Sequence, residues 1–377
     1  VGTGPPRKSD RLLAAELGGV LRSRRYAAQR REELQALASA QEAGGRFLDL
    51  LEGRDVFLFL VESYGYTLYG EPEHFRLAEP FLTRIESRLE STGYRIVSNF
   101  LDSSAFGGNS WLADATLASG VRIADQTAYQ ALLGSPVKPM AAWFREAGYL
   151  TVNSMPATTS SWPEGEFFRF ERKYYFRDFG YRGPTFKWAP MTDQFAMNLI
   201  HRREVAPASR PLFVQFVMIS GHYPFNLIPR YFEDWSELGD GSLYAREDSV
   251  RVLPIAPGAA TAGAAGYAAA MEYQLTVVSE YLARFLAARR ALAVVVGDHQ
   301  PYSGITGRGK PRSVPIHLLS REPALLEPFL DRGYTPGWVP RQPPPHAGME
   351  GFLPALLEDF SSGAASSPRG SGQGAPR

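Results

Sequence analysis

Short apolar runs alternate with segments of helical spacing along most of the chain. Asp55–Val61 (DVFLFLV) is apolar throughout after its first residue, the pattern of a strand covered on both faces. A helix is expected within Glu73–Thr92 and a second strand at Tyr94–Phe100. Met140–Ala147 has helical spacing and leads into a third strand at Tyr149–Asn153. Pro211–Ser220 (PLFVQFVMIS) is the clearest strand of all. Met271, Leu275, Val278, Leu282 and Phe285 recur every three or four residues, which predicts a long amphipathic helix over Tyr267–Arg290. Strands at Leu292–Val296 and Ser313–Leu319 (SVPIHLL) follow. This alternation predicts an α/β fold with a mainly parallel central sheet sandwiched by helices. No internal repeat is visible.

The two ends differ from the middle. Residues 1–9 read as a flexible lead-in, and 10–52 have a helical pattern carried by Leu12, Leu13, Leu17, Leu21, Leu34 and Leu37. Between these leucines sit Arg22, Arg24, Arg25, Arg30 and Arg31, either a solvated helix face or a stretch lying against anionic lipid. Residues 361–377 (SSGAASSPRGSGQGAPR) have the low complexity of a disordered tail. The expected organisation is a basic helical lead-in over 1–53, a catalytic domain over 54–360 and the tail. Residues 239–266, rich in Gly and Ala, read as a long surface loop near the site mouth, and 335–346 as an irregular Pro-rich segment.

Composition narrows the class. With 40 basic and 39 acidic residues the net charge is +1, which argues against a dedicated nucleic-acid binder. The absence of cysteine excludes disulfides, thiolate nucleophiles and thiolate metal sites. The longest apolar runs span six residues, against the roughly 20 that a membrane helix needs. The chain starts at Val1 rather than Met, so an upstream segment is expected.

In open α/β sheets ligands bind beyond the carboxyl ends of the strands. Glu62 follows the first strand (ESYG), His222 follows the Pro211–Ser220 strand (GHYPF), and Asp298-His299 follow the Leu292–Val296 strand (GDHQP). Ser110 lies after the second strand, behind Gly107-Gly108-Asn109, and opens a helix expected over Trp111–Leu117. Glu62, Asp298 and His299 are oxygen and imidazole ligands suited to a divalent cation. Coordination would lower the pKa of the Ser110 hydroxyl and orient it as a nucleophile. The helix N-terminus favours an anion, which suits a phosphate-type substrate and a phospho-serine intermediate. His222 would bind a phosphoryl oxygen or protonate the leaving group. Each residue also has a structural alternative: Ser110 as a helix N-cap, Glu62 as a loop carboxylate, His222 as a turn residue. His317, inside a strand pattern, reads as structural.

The segments VFLFLVESYG, GGNSWLADATLASG, MISGHYPF and VVVGDHQP, in this order, resemble the alkaline phosphatase/sulfatase superfamily. The resemblance is strongest to its lipoteichoic acid synthases and phosphoethanolamine transferases, and extends over YAAAMEYQLTVVSEYLARFL and SVPIHLLS to cover about 54–320. It implies that Glu62, Ser110, Asp298 and His299 hold one divalent ion, manganese or zinc, with magnesium also open. It implies that Ser110 is the nucleophile, where the family commonly has threonine, and that His222 contacts the phosphoryl group. Trp162 lies where lipoteichoic acid synthases carry a substrate-contacting tryptophan; packing within its loop is the alternative. Type I sulfatases carry a C/S-x-P-x-R signature, which Ser110-Trp111-Leu112-Ala113-Asp114 lacks. The extra ligands of two-metal phosphatases are not evident. Asp114, one turn after Ser110, would face the same side of the helix and either adjust the site or pair locally.

The resemblance therefore implies a metal-dependent phosphotransferase that takes a phosphoglycerol- or phosphoethanolamine-type headgroup from a phospholipid or other phosphodiester donor. The acceptor would be a glycan or a lipid alcohol, with no nucleic acid involved. An extracytoplasmic position, on a membrane tether upstream of this chain, goes with it. A hydrolase of the same superfamily and a non-catalytic envelope assembly protein are the alternatives.

Overall fold

The computed structural model describes residues 28–39, 41 and 46–362. Leu12, Leu13, Leu17, Leu21 and the arginines 22, 24 and 25 fall outside these residues, as does 363–377 of the tail.

Among the described residues the strands are β1 Asp55–Val61, β2 Arg95–Asp102, β3 Leu150–Met155, β4 Arg172–Tyr175, β5 Leu212–Val217, β6 Leu227–Pro229, β7 Val250–Val252, β8 Ala291–Gly297, β9 Ser313–Ser320 and β10 Thr335–Pro336. Eight of them form one sheet in the order β10-β2-β9-β8-β1-β5-β3-β4. The run β8-β1-β5-β3-β4 is parallel throughout. β9 runs antiparallel to both β8 and β2, and β10 antiparallel to β2. The sheet is thus mostly parallel and mixed at one side.

Every residue of β1 is buried because the sheet has two covered faces. Side chains of a strand alternate between faces. Phe57, Phe59 and Val61 enter one apolar core, with helices Pro72–Ser91, Asp193–Ile200 and Gly263–Tyr281. Val56, Leu58 and Leu60 enter a second core on the opposite face, with helices Ser110–Ser119, Gln126–Leu133, Met140–Glu146 and Phe352–Asp359. β8 divides the same way: Ala293 and Val295 on one side, Leu292, Val294 and Val296 on the other. Burying apolar area on both faces is worth about 25 cal/mol per Å², which is why the central strands carry no polar alternation.

The lead-in helix, residues 28–39, buries Leu34 and Ala38 in the second core. Arg30 from the basic stretch bonds Glu33 and the backbone carbonyl of Arg122. The expectation of a plain surface loop over 239–266 is corrected. β7 pairs with β6, with Leu227 opposite Val252, and Leu243 and Tyr244 are buried. These side chains supply apolar anchors that a Gly/Ala-rich stretch conceals from pattern reading. The second half of the segment does border the His222 turn: Leu253 N–H donates to the Asn226 carbonyl and Ala262 N–H to that of Pro224. The long helix begins four residues earlier than expected, at Gly263, and ends at Tyr281, where a wider turn over Leu282–Leu286 continues it.

Candidate active site

The register of β1 on β8 places Val61 opposite Gly297, so Glu62 and Asp298 leave the sheet side by side. A Cβ on Gly297 would stand 1.8 Å from the Tyr64 carbonyl oxygen. That close approach requires glycine before Asp298. Ser63 has a left-handed backbone, φ 60°, and its N–H donates to Asp298 Oδ1 at 2.8 Å. The same oxygen accepts from the His299 N–H at 2.6 Å. Two backbone donors fix one carboxylate oxygen and leave Oδ2 facing the cluster.

His299 Nε2 lies 3.5 Å from Asp298 Oδ2 and 3.7 Å from Glu62 Oε1. Its Nδ1 is 2.7 Å from the Gln300 carbonyl oxygen, which can only accept. Nδ1 therefore carries a proton, and Nε2 faces the carboxylates, where with the ring neutral it would offer a lone pair to a cation. Gln300 is itself held, its Oε1 accepting from the Thr67 N–H and hydroxyl and its Nε2 donating to Pro311. Glu62 Oε1 accepts from the Ser63 hydroxyl at 2.7 Å.

Ser110 Oγ stands 3.1 Å from His299 Nε2 and 3.4 Å from Glu62 Oε2. It reaches them because Gly107, Gly108 and Asn109 all take positive φ, at 64°, 133° and 64°. The loop is pinned to the segment after His299, since Gly107 N–H donates to the Gln300 carbonyl and Phe106 bridges Gln300. Asn109 occupies the helix cap position and Ser110 is the first helical residue. The N-cap alternative for Ser110 is therefore corrected: its hydroxyl is turned to the carboxylates, not to its own helix. The helix N-terminus adds positive potential beside that hydroxyl.

One atom each from Glu62, Asp298 and His299 lie within 4.8 Å of one another, and all three residues are buried. Among the described residues no lysine or arginine pairs with either carboxylate. Burial, then the Glu62 charge, raises the Asp298 carboxyl to about 7. Burial works to lower the His299 pKa, but Asp298 and Glu62 together raise it. Burial and the same two carboxylates push Asp114 well above the carboxylate range. Asp114 Oδ1 is buried without a hydrogen-bond partner, so the local pairing expected for it is absent among the described residues. Two buried carboxylates, an imidazole lone pair and a hydroxyl, with no basic side chain between them, are a donor set that fits a divalent cation.

His222 lies beyond β5, the other neighbour of β1. A Cβ on the preceding Gly221 would be 2.9 Å from the Glu62 carbonyl oxygen, so the two turns touch. His222 Nδ1 is bonded to the Tyr223 carbonyl at 3.0 Å, and Nε2 has no partner among the described residues. The turn is fixed by Asp193, whose carboxylate accepts from the Ile219 and Ser220 N–H groups, and by Gln274, which donates to the Glu62 carbonyl at 3.0 Å. Sequence reasoning missed both. Asp193 opens a helix that no expected element covered, and Gln274 is one polar residue on an apolar helix.

Trp162 packs in its own loop, stacked on Phe168 at 5.4 Å and edge-on to Tyr175 at 6.1 Å. No contact joins it to the cluster among the described residues. His317 is fully buried, between Ser98 and the Tyr64 hydroxyl, as a structural histidine should be.

No protein-family model matches the sequence, and no curated protein matches it. Solved structures do match. The lipoteichoic acid synthase LtaP from Listeria monocytogenes is 14% identical with a TM-score of 0.50, over 76% of this chain and 70% of that one. The soluble domain of lipooligosaccharide phosphoethanolamine transferase A from Neisseria meningitidis is 9% identical with a TM-score of 0.53, over 82% and 89%. The C-terminal periplasmic domain of the phosphoethanolamine transferase EptC from Campylobacter jejuni is 10% identical with a TM-score of 0.50, over 84% and 92%. The fold is that of the sulfatase-like phosphotransferases of the alkaline phosphatase superfamily.

Proposed function

We propose that this chain is a metal-dependent phosphotransferase. It moves a phospho-alcohol headgroup, of the phosphoglycerol or phosphoethanolamine type, through a covalent phospho-Ser110 intermediate. The observation that carries this is the convergence of Ser110 Oγ on Glu62 and His299 in a cluster completed by Asp298, with no basic side chain paired to the carboxylates among the described residues.

Glu62, Asp298, His299 and the Ser110 hydroxyl would hold one divalent ion. When bound, that ion lowers the hydroxyl pKa and stabilises charge on the transferring group. Ser110 Oγ, its proton given up to solvent, attacks the phosphorus of a phosphodiester as an alkoxide. The P–Oγ bond forms as the bond to the lipid alcohol breaks. His222, its Nδ1 fixed on the Tyr223 carbonyl, uses Nε2 to give the leaving oxygen a proton. An acceptor hydroxyl then attacks phospho-Ser110, His222 takes its proton, and the serine is released. The acceptor is an alcohol on an envelope glycan or lipid. The fold relatives include a domain described as periplasmic, which supports an extracytoplasmic position on an upstream membrane tether.

The test is peptide mass spectrometry of Mn²⁺-loaded protein after incubation with phosphatidylglycerol and phosphatidylethanolamine. A headgroup phosphate on the Ser110 peptide, absent from a Ser110→Ala variant that still folds, is the expected result. Turnover retained by Ser110→Ala would overturn the assignment. Release of free headgroup phosphate without transfer to any alcohol would make the enzyme a hydrolase.

A further inference from the structure

Most of the large hydrophobic side chains are buried. Of those left exposed among the described residues, three are aromatic: Trp111 at 45%, Trp188 at 68% and Tyr302 at 41%. Trp188 and Tyr302 border the candidate site, and Trp111 is on the helix that Ser110 opens. Trp111 follows Ser110 directly. Trp188 stands 5.9 Å from the His222 ring. Tyr302 packs edge-on against Tyr223, the residue after His222, at 5.4 Å, and its Cα would lie 3.4 Å from a Cβ on Gly107. Trp188 and Tyr302 therefore form an arc around the histidine turn, while Trp111 is turned along its own helix, its Nε1 donating to Gln126 Oε1.

Trp188 is displayed rather than left over. It lies in a tight turn closed by the antiparallel bridge of Phe186 with Ala189, and both bridge residues are buried. Lys187 takes positive φ at the tip, 60°, and is exposed with no partner among the described residues.

Cations continue the arc. A surface cavity of about 350 Å³ is lined by Phe106, Ser303, Arg308, Lys310 and Arg312, with no carboxylate among its lining residues. Its walls are continuations of the catalytic segments: Phe106 lies four residues before Ser110 and Ser303 four residues after His299. Four residues reach at most about 14 Å, so the cavity adjoins the site. Lys310 pairs with Glu71. Arg312 bonds only a backbone carbonyl, and Arg308 has no partner among the described residues. In a chain of net charge +1, this is a local excess of unpaired positive charge.

Exposed Trp and Tyr interleaved with Lys and Arg is the composition that seats protein at a phospholipid headgroup layer. Amphipathic rings sit at headgroup depth and cations meet the anionic surface. Charge complementarity and the absence of exposed aliphatic residues from the arc favour that interface over a purely apolar partner. We propose that the face around the candidate site, carried by Trp188, Tyr302, Lys187 and Arg308, docks onto an anionic phospholipid bilayer and presents the site to its headgroups. This rests on the proposed phospholipid chemistry for its purpose, but not for its measurement.

The experiment is co-sedimentation of the protein with phosphatidylcholine vesicles, with and without phosphatidylglycerol, and tryptophan emission with brominated lipid. Expected is association with the anionic vesicles alone, weakened by salt and about fivefold for each of Lys187→Ser and Arg308→Ser. The emission difference between wild type and Trp188→Phe should be quenched by the brominated lipid. Hydrolysis or transfer from a water-soluble diester should be unchanged in Lys187→Ser and Arg308→Ser. No association of wild type, or association indifferent to both cation variants, would overturn docking. So would a Trp188 signal that responds to an oligosaccharide and not to lipid, which would make the arc a glycan site. Docking without any turnover would instead sink the proposed function and leave the surface standing.

Discussion

Asp298→Asn in metal-free protein tests the electrostatics of the cluster directly. Burial and the Glu62 charge move the Asp298 carboxyl from its ordinary 3.8 to about 7. The unfolded chain releases this proton near 3.8, whereas the folded one keeps it until about 7. Over that interval the folded state binds more protons, so stability falls as pH rises, the reverse of an ion-paired carboxylate. The full difference is on the order of 4 kcal/mol above pH 7. At roughly 2.1 cal/mol/K per residue, the unfolding entropy of this chain is about 0.8 kcal/mol/K, so the effect is worth about 5 °C in Tm. The amide introduced by the substitution cannot ionise, and its Oδ1 can keep accepting from the Ser63 and His299 N–H groups. In chelator at pH 8 the variant should therefore melt about 5 °C above wild type, and at pH 4 the two should coincide. Saturating Mn²⁺ should narrow the gap to about 2 °C. A ligand at a hundredfold its Kd stabilises by about 2.7 kcal/mol, or about 3 °C here, and the variant has lost one oxygen donor. Calorimetric melts in chelator at both pH values, then with Mn²⁺, decide it. A metal-free variant that melts below wild type at pH 8 would refute the idea that two unpaired buried charges strain the empty cluster.

Three further outcomes follow from the geometry. Gly221→Ala would set a Cβ 1.8 Å from Gln274 Nε2 and 2.9 Å from the Glu62 carbonyl oxygen; it should cost about 1–3 kcal/mol in urea unfolding and weaken Mn²⁺ binding by calorimetric titration. His222→Ala should lower turnover of an ester with a poor leaving group by about 10²–10⁴ while leaving Mn²⁺ affinity unchanged, and a lost affinity would count against its role as a proton donor. Trp162→Ala should cost about 3 kcal/mol through the lost stack on Phe168 with KM for the donor unchanged; a raised KM at unchanged stability would return Trp162 to substrate contact.

The central sheet was legible because its strands are buried on two faces. Asp55–Val61 and Ser313–Ser320 are bounded by the turn residues that end them, and their expected limits fall within a residue of the observed ones, whereas the Pro211–Ser220 strand ends at Val217, three residues early. The edges were not legible. β4, Arg172–Tyr175, and β10, Thr335–Pro336, are short and partly exposed, so no hydrophobic contrast marks them. β9 reads as any buried strand, and its reversed direction depends on the route of the chain rather than on its composition.

The candidate site divides along the same physical line. Residues that leave buried strands were found by position alone: Glu62 and Asp298 stand next to one another because Val61 and Gly297 are partners in the ladder. What a linear reading cannot provide is the set of atoms that approach from elsewhere in the chain. Ser63, Gln300, Asp193 and Gln274 orient the candidate ligands and the histidine turn through single hydrogen bonds, and none has a pattern of its own. Asp114 is the instructive case. At four residues from Ser110 on a helix it was an obvious candidate for a local ion pair, and the sequence around it holds no hint that Oδ1 would be buried without a partner. An acid whose pKa is raised by burial and by Asp298 and Glu62 exists there only because those carboxylates come from strands about fifty residues earlier and nearly two hundred later. The chemistry of the cluster is thus a property of strand order, and the ladder between β1 and β8 is what brings it about.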